Sequence, residues 1–157
     1  MQNTTLATGL TVQQPEQQDP KLMLPADYLL SLLTVYYDCI VGSPAQVQAG
    51  IATHATITAA LAACPTDGSI YILRGNYNES PLITNQIVNI VGQGWGTVIN
   101  GNFTFDVTSR CTVSRITVQG NIVFTINSSK NFLTETFIAG VATLIDNGVD
   151  NVWSVIN

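Results

Sequence analysis

The chain has 157 residues, enough for one domain with a substantial core and too few for two large ones. Apolar residues make up 46% and charged residues only 10%, against about 25% charged in an average soluble domain. The net charge is −5, from ten acidic and five basic residues with no basic cluster, which excludes the phosphate neutralisation that nucleic-acid binding requires. Asn, Gln, Thr and Ser carry the polar surface instead, a composition suited to a repetitive β-surface in an assembled particle.

Residues 1–24 are rich in Gln, Thr and Pro and have little to bury. Pro15 and Pro20 forbid regular structure around them, so the segment reads as an extended arm, disordered or laid along a partner. It has no basic n-region and no apolar h-region, so no signal peptide is expected. Residues 25–41 read as an apolar helix, with Pro25 in its first turn and Asp27 near the positive end of its dipole. Leu29, Leu30, Leu33, Tyr36, Tyr37 and Ile40 cover most of its circumference, and such a helix is buried on several sides. Two placements are open: over one end of its own domain, or against sister subunits as an anchor. These six residues, with Trp153, are the candidate assembly residues. The stretch is too short to span a bilayer, so no membrane partner is expected.

Residues 42–68 read as a linker and a capping helix. Gly42-Ser43-Pro44 breaks the preceding element. Thr56 is the N-cap of a short helix, the alanines favour it, and Pro65 stops it. Thr66-Asp67-Gly68 is a turn. From Ser69 the hydrophobic period becomes two. Strands are expected at Ile70–Leu73, Ile87–Val91, Thr97–Ile99 and Phe103–Val107, the last with both Phe rings and Val107 on one face.

The decisive feature is a repeat of about 20 residues. Ser109 onward lies over Ser129 onward: Cys111 meets Asn131, Val113 meets Leu133, Val118 meets Ile138, Gly120 meets Gly140, and Phe124 meets Leu144. A third pass places Asn151 under Asn131 and Trp153 under Leu133. Short strands split by Gly or Asn corners at this period are what a β-solenoid coil needs. Residues 69–157 therefore read as an all-β, right-handed, single-stranded parallel β-helix of about four coils. Asn131 and Asn151 are placed to form a side-chain ladder at one corner. Cys39, Cys64 and Cys111, odd in number and widely spaced, read as free buried thiols made in a reducing cytosol. The four sequons, at Asn3, Asn78, Asn102 and Asn127, follow from composition and carry no expectation of glycans.

The stretch from His54 to Gly101 contains His54-Ala55-Thr56-Ile57, directly after Ala52-Thr53, then Asp67-Gly68-Ser69-Ile70-Tyr71-Ile72, Gly75-Asn76-Tyr77-Asn78-Glu79, Val91-Gly92-Gln93-Gly94 and Thr97-Val98-Ile99-Asn100-Gly101. It resembles the opening of pectin-lyase-like β-helix proteins, including pectin esterases and phage tailspikes. The resemblance implies a short helix capping the first coil. It does not carry activity over: the Gln-rich motif, the Asp-Phe-Ile-Phe-Gly motif and the later Arg of pectin esterases are absent, and Phe103-Thr104-Phe105-Asp106 does not match. The chain is more similar to short phage virion proteins that join an N-terminal anchoring arm to this opening and finish near Asp146-Asn147-Gly148…Asn151. That likeness implies a homotrimer on a virion.

Nothing in the chain assembles chemistry. Asp106 has Ile126 one period on, where glycoside hydrolysis needs a second carboxylate. Asp146 and Asp150 flank a turn and read as solvated. His54 reads as a local hydrogen-bonding residue. Gly92-Gln93-Gly94-Trp95-Gly96 lacks the helix and Lys of a phosphate cradle and reads as a coil corner. Glu79 reads as a corner carboxylate accepting backbone N–H bonds. No cofactor or metal is expected. The first functional expectation is a non-enzymatic capsid decoration (cement) protein, made in the host cytoplasm, docking as a trimer on the major capsid protein. The alternative is a tail fibre or tailspike component that works with tail proteins and binds or cleaves host polysaccharide. A further thought, that the last coil leaves Trp153 or Val155 uncovered, points to subunit packing over that end.

Overall fold

The computed structural model describes residues 3–5, 11–13, 32–84, 87–108, 110–140 and 142–156. Within the segment read as an arm, β1 (Asn3–Thr5) and β2 (Thr11–Gln13) form a short antiparallel ladder. The rest of the arm, and Leu29 and Leu30, lie outside the described residues.

The chain from β3 (Cys39–Val41) onward winds as a right-handed parallel solenoid. β4 (Gly68–Ile72), β5 (Gly75–Tyr77) and β6 (Leu82–Thr84) make the first complete coil. β7 (Val88–Gly92), β8 (Thr97–Ile99) and β9 (Phe103–Asp106) make the second. β10 (Thr112–Ser114), β11 (Thr117–Val118) and β12 (Ile122–Phe124) make the third. β13 (Phe132–Ile138) runs along two faces of the fourth, β14 (Leu144–Asp146) closes it, and β15 (Val152–Ile156) opens a fifth. Each strand pairs in parallel with its counterparts one coil away, so the coils present three faces.

Alternation along each strand turns one set of side chains inward, and stacking turns each inward position into a column. On the first face the column is Cys39, Ile70, Ile90, Val113, Leu133 and Trp153. On the second it is Tyr77, Ile99, Val118 and Ile138. On the third, Ile83, Phe105 and Phe124 are followed by Asp146. Phe105 and Phe124 stack at 4.5 Å between centroids, and Phe103 lies 5.3 Å from Phe105. Each fully buried side chain of this kind contributes about 1.5–3 kcal/mol.

Several expectations need correction. The apolar segment does not stay helical to Val41. Leu32–Thr34 is helical, but Cys39–Val41 is the solenoid's first strand, because its three side chains are buried beside β4. The solenoid thus begins well before Ser69. Residues 42–68 hold two helices. The extra one, Pro44–Gln48, has a capping box in which Ser43 Oγ accepts from Gln46 N (3.3 Å) and Gln46 Oε1 accepts from Ser43 N (2.7 Å). Pro44 is its first-turn proline, and the preceding element ends at Val41, before Gly42-Ser43-Pro44. Val107 does not join the Phe rings: β9 ends at Asp106, and Val107 stands exposed at φ 51. The 20-residue register holds on the first face, where Val113 pairs with Leu133, but on the third face Ile122, not Phe124, pairs with Leu144. Extra residues in the preceding corner shift that strand, so Phe124 stacks on Asp146.

The Ile57–Ala63 helix closes the solenoid's first end. Thr56 caps it as expected, its Oγ1 accepting from Ala59 N at 3.1 Å, while Ile57, Ala60 and Leu61 are buried against the first coil.

Candidate functional site

Three of the acidic side chains that the sequence marks, Glu79, Asp106 and Asp146, are engaged inside the chain, and the fourth, Asp150, is exposed. Glu79 caps the Ile57–Ala63 helix across 22 residues of sequence: Oε1 accepts from Ile57 N (2.7 Å), and Oε2 accepts from Thr58 N (2.9 Å) and Thr58 Oγ1 (2.7 Å). Asp106 Oδ1 accepts from Thr125 Oγ1 (2.6 Å) and Asn127 Nδ2 (3.3 Å). The Thr125 hydroxyl, and then the Asn127 amide, hold its carboxyl below the usual range. Asp146 is exposed but not merely solvated: it accepts from Gly148 N (3.0 Å), Asn151 Nδ2 (3.0 Å) and Trp153 Nε1 (3.3 Å). His54 sits beside the first strand with Nδ1 2.8 Å from Thr53 Oγ1.

The expected Asn ladder is present. Asn131 is fully buried, its Oδ1 accepts from Cys111 N (3.0 Å), and its Nδ2 donates to Asn151 Oδ1 (3.0 Å). The three thiols are buried and form no disulfide. Burial pushes all three above their ordinary value, Cys64 to about 12, aided there by Cys39 and Asp38. Among the described residues, no three His, Cys, Asp or Glu side chains converge to hold a metal. A shallow cleft of about 150 Å³ lies between Pro44, Thr56 and residues 75–79. The one acid on its wall, Glu79, is already committed to the helix.

Among the described residues, the candidate assembly residues do not form one surface. Leu33 and Tyr37 are half-buried on a satellite cluster built from Ile40, Ala52 and Leu73, and the Tyr37 ring lies 4.8 Å from that of Tyr71. These side chains are therefore packed onto their own domain. Ile40 is fully buried in strand β3 and is not available to a partner. Tyr36 is 76% exposed, and Trp153, at the far end of the first-face column, is 48% exposed. Five coil spacings separate the two ends of that column, about 24 Å.

A second set of exposed apolar side chains was not singled out by the repeat. Val107, Ile126 and Val149 stand on the corner that joins the third face to the first, and Phe132 and Val152 project outward from the adjoining first face. The signal was available: Ile126 and Val149 occupy turn positions, next to Asn127 and Gly148, where solvated corners carry polar residues. What this arrangement offers chemically is a contact surface: exposed apolar side chains on one corner, with Arg110, Lys130 and Asp150 in a row beside them. Comparison with known proteins finds no matching family model, no matching curated protein and no matching solved structure.

Proposed function

We propose that this protein is a non-enzymatic structural component of a phage particle: a trimeric decoration protein, with a tailspike-like, pectin-lyase-like β-helix, that binds the capsid surface and stabilises it. The observation that carries the reading is an inversion of the usual enzyme surface. Glu79, Asp106, Asp146 and the histidine are used in internal hydrogen bonds, while large apolar side chains such as Tyr36, Ile126 and Val149 face outward and Trp153 is left half exposed at the end of its column. Exposed apolar strips of this kind mark protein contacts. The motif resemblance to short virion proteins, and the arm ahead of the solenoid, support the choice of partner.

The test is direct. Virions stripped of the protein should lose resistance to heat or low ionic strength and regain it on adding the purified chain, which should appear on the capsid in cryo-images. Unchanged stability of stripped virions, with the protein imaged only on the tail, would show the reading to be wrong.

One observation favours the alternative, a tail component that binds host polysaccharide. Trp95 is 66% exposed at the corner of residues 93–96, with the Arg74 side chain lying along Gly96. An exposed aromatic beside a guanidinium is a plausible sugar platform. Binding of purified host polysaccharide, lost in Trp95→Ala, or the release of reducing ends, would favour this second reading over the first.

A further inference from the structure

We infer that Cys39 and Cys64 form a redox-operated latch: in oxidising surroundings they close a disulfide that fastens the Ile57–Ala63 helix to the solenoid's first strand, and Glu79 controls the oxidant's access to them. The inference goes beyond the role proposed above and does not rest on it.

Three observations place the two sulfurs together. Cys39 lies on β3, and its Sγ donates to Ala60 O at 3.7 Å. Cys64 is the C-cap of the Ile57–Ala63 helix, and its N–H donates to the same Ala60 O at 2.8 Å. The Cys64 side chain lies over the start of β4, where a Cβ on Gly68 would come within 2.6 Å of Sγ. Cys39 stands beside that strand, paired with Ile70. The two side chains share one core cluster and are close enough for one thiol to hydrogen-bond to the other. Cys111 is set apart at the head of β10, with β7 between it and β4.

The surroundings keep the pair reduced while the helix is seated. Cys39 and Cys64 are 3% and 6% exposed, so a dissolved oxidant does not reach them. Burial pushes both thiols above their ordinary value, Cys64 to about 12, so little thiolate is present to attack. The helix covers the pair, and Glu79 holds the helix by accepting from Ile57 N, Thr58 N and Thr58 Oγ1. Release of that carboxylate frees the helix start and opens the way to both sulfurs.

The chemistry is thiol–disulfide exchange with a low-molecular-weight disulfide as oxidant. The Cys39 thiolate attacks one sulfur of the reagent and expels a thiolate, leaving a mixed disulfide. The Cys64 thiolate then attacks the Cys39 sulfur and expels the second. Two protein thiols become one disulfide, and the reagent is reduced to two thiols, which take up the two protons released. The bond closes a loop of about 25 residues and stabilises the fold chiefly by constraining the unfolded chain.

The test uses the full chain and glutathione disulfide as the probe. Folded wild-type protein should lose two hydrogen masses without an intermolecular product, and after unfolding the one thiol left to alkylate should be Cys111. The oxidised chain should melt at least about 5 °C above the reduced one, and dithiothreitol should remove the gain. Cys39→Ala and Cys64→Ala should show no gain. Glu79→Ala should close at least about 10-fold faster than wild type, with Glu79→Gln between them. Asn131→Ala, which weakens a distant coil, should close at the wild-type rate. Circular dichroism reports whether each variant is folded. The inference is overturned if wild type and both Glu79 variants keep three thiols, if Cys111 is consumed in place of Cys39 or Cys64, or if the oxidised chain melts no higher than the reduced one. Equal acceleration in Asn131→Ala and Glu79→Ala also overturns it, because closure would then follow global unfolding and not release of the helix.

Discussion

Removing the carboxylate of Glu79 should loosen the first end of the solenoid. Three donors converge on it, at 2.7, 2.9 and 2.7 Å. Two are backbone N–H groups at the start of the Ile57–Ala63 helix, which no intrahelical carbonyl can satisfy. Hydrogen bonds to a charged acceptor contribute about 1.5–3 kcal/mol each, but the site is half exposed and the three are not additive. Glu79→Ala should therefore cost about 2–4 kcal/mol, in line with the loss of a strong helix cap plus a dipole contact. For a chain of this length each kcal/mol lowers Tm by about 2–4 °C, so a fall of about 4–16 °C is expected. Glu79→Gln keeps one acceptor but turns its amide NH₂ toward a donor, and should lie between the two. Urea denaturation followed by circular dichroism gives the free energies. Glu135→Gln is the comparison, since the Glu135 contact with Arg115 is exposed and long at 3.9 Å and should contribute less than about 0.5 kcal/mol. The reasoning fails if Glu79→Ala is no worse than Glu135→Gln, or if Gln is worse than Ala.

Three further outcomes are expected. Asn131→Ala should cost about 2–3 kcal/mol, because it removes the buried side-chain acceptor of the Cys111 N–H, and Asn151→Ala should cost about half as much; equal effects in urea unfolding would refute the ladder's directionality. Burial pushes the Cys64 thiol from 9.0 and the Tyr77 phenol from 10.0 to about 12, so both bind their proton more tightly in the folded chain. Their contribution is complete below pH 9 and is lost as pH rises toward 12: the urea midpoint should fall across that window, and Cys64→Ala should flatten the fall. Gly120→Ala should destabilise by more than about 2 kcal/mol, since a Cβ there would strike the Gly101 carbonyl one coil below. Gly50→Ala, at φ 70 in open space, should cost only about 1 kcal/mol, and a reversed order in thermal melts would refute the steric account.

The solenoid was legible because stacking writes itself into the sequence as columns. Val113 over Leu133 and Asn131 over Asn151 repeat at one period, and the structure keeps that register. Thr56 and Glu79 were legible from chemistry: a hydroxyl at a helix start, and a carboxylate where free N–H groups gather. The first strand was not, because Cys39-Ile40-Val41 follows a run of Leu and Tyr with no change of period to mark it. Its identity is decided by the partner β4, far along the chain. The shift on the third face was hidden for a related reason. Corners absorb extra residues without disturbing the next strand, so a constant offset fails locally while the fold persists. The pairing of Phe124 with Asp146, and Val107's outward turn, could be read only from backbone register and φ.

A stacked solenoid separates two jobs that a globular core mixes. Inward columns set stability, and the outward positions of the same strands are free to vary without disturbing the ladder. In this chain the third-face inward column is aliphatic or aromatic, Ile83, Phe105 and Phe124, until the last coil. There Asp146 takes the place of a third Phe and binds the indole N–H of Trp153. A carboxylate in a core column is destabilising if another apolar coil is stacked directly on it, because the charge would be desolvated. It is tolerated where water or a polar partner surface reaches it. A surface that packs on this coil would have to offer hydrogen-bond donors to Asp146 while burying the face of Trp153. Asp146→Leu tests this directly. It should raise the stability of the isolated chain by closing the column with apolar volume, while weakening any partner contact made through that end. If the variant instead loses stability, the Trp153 and Asn151 bonds to Asp146 are holding the last coil in place by themselves.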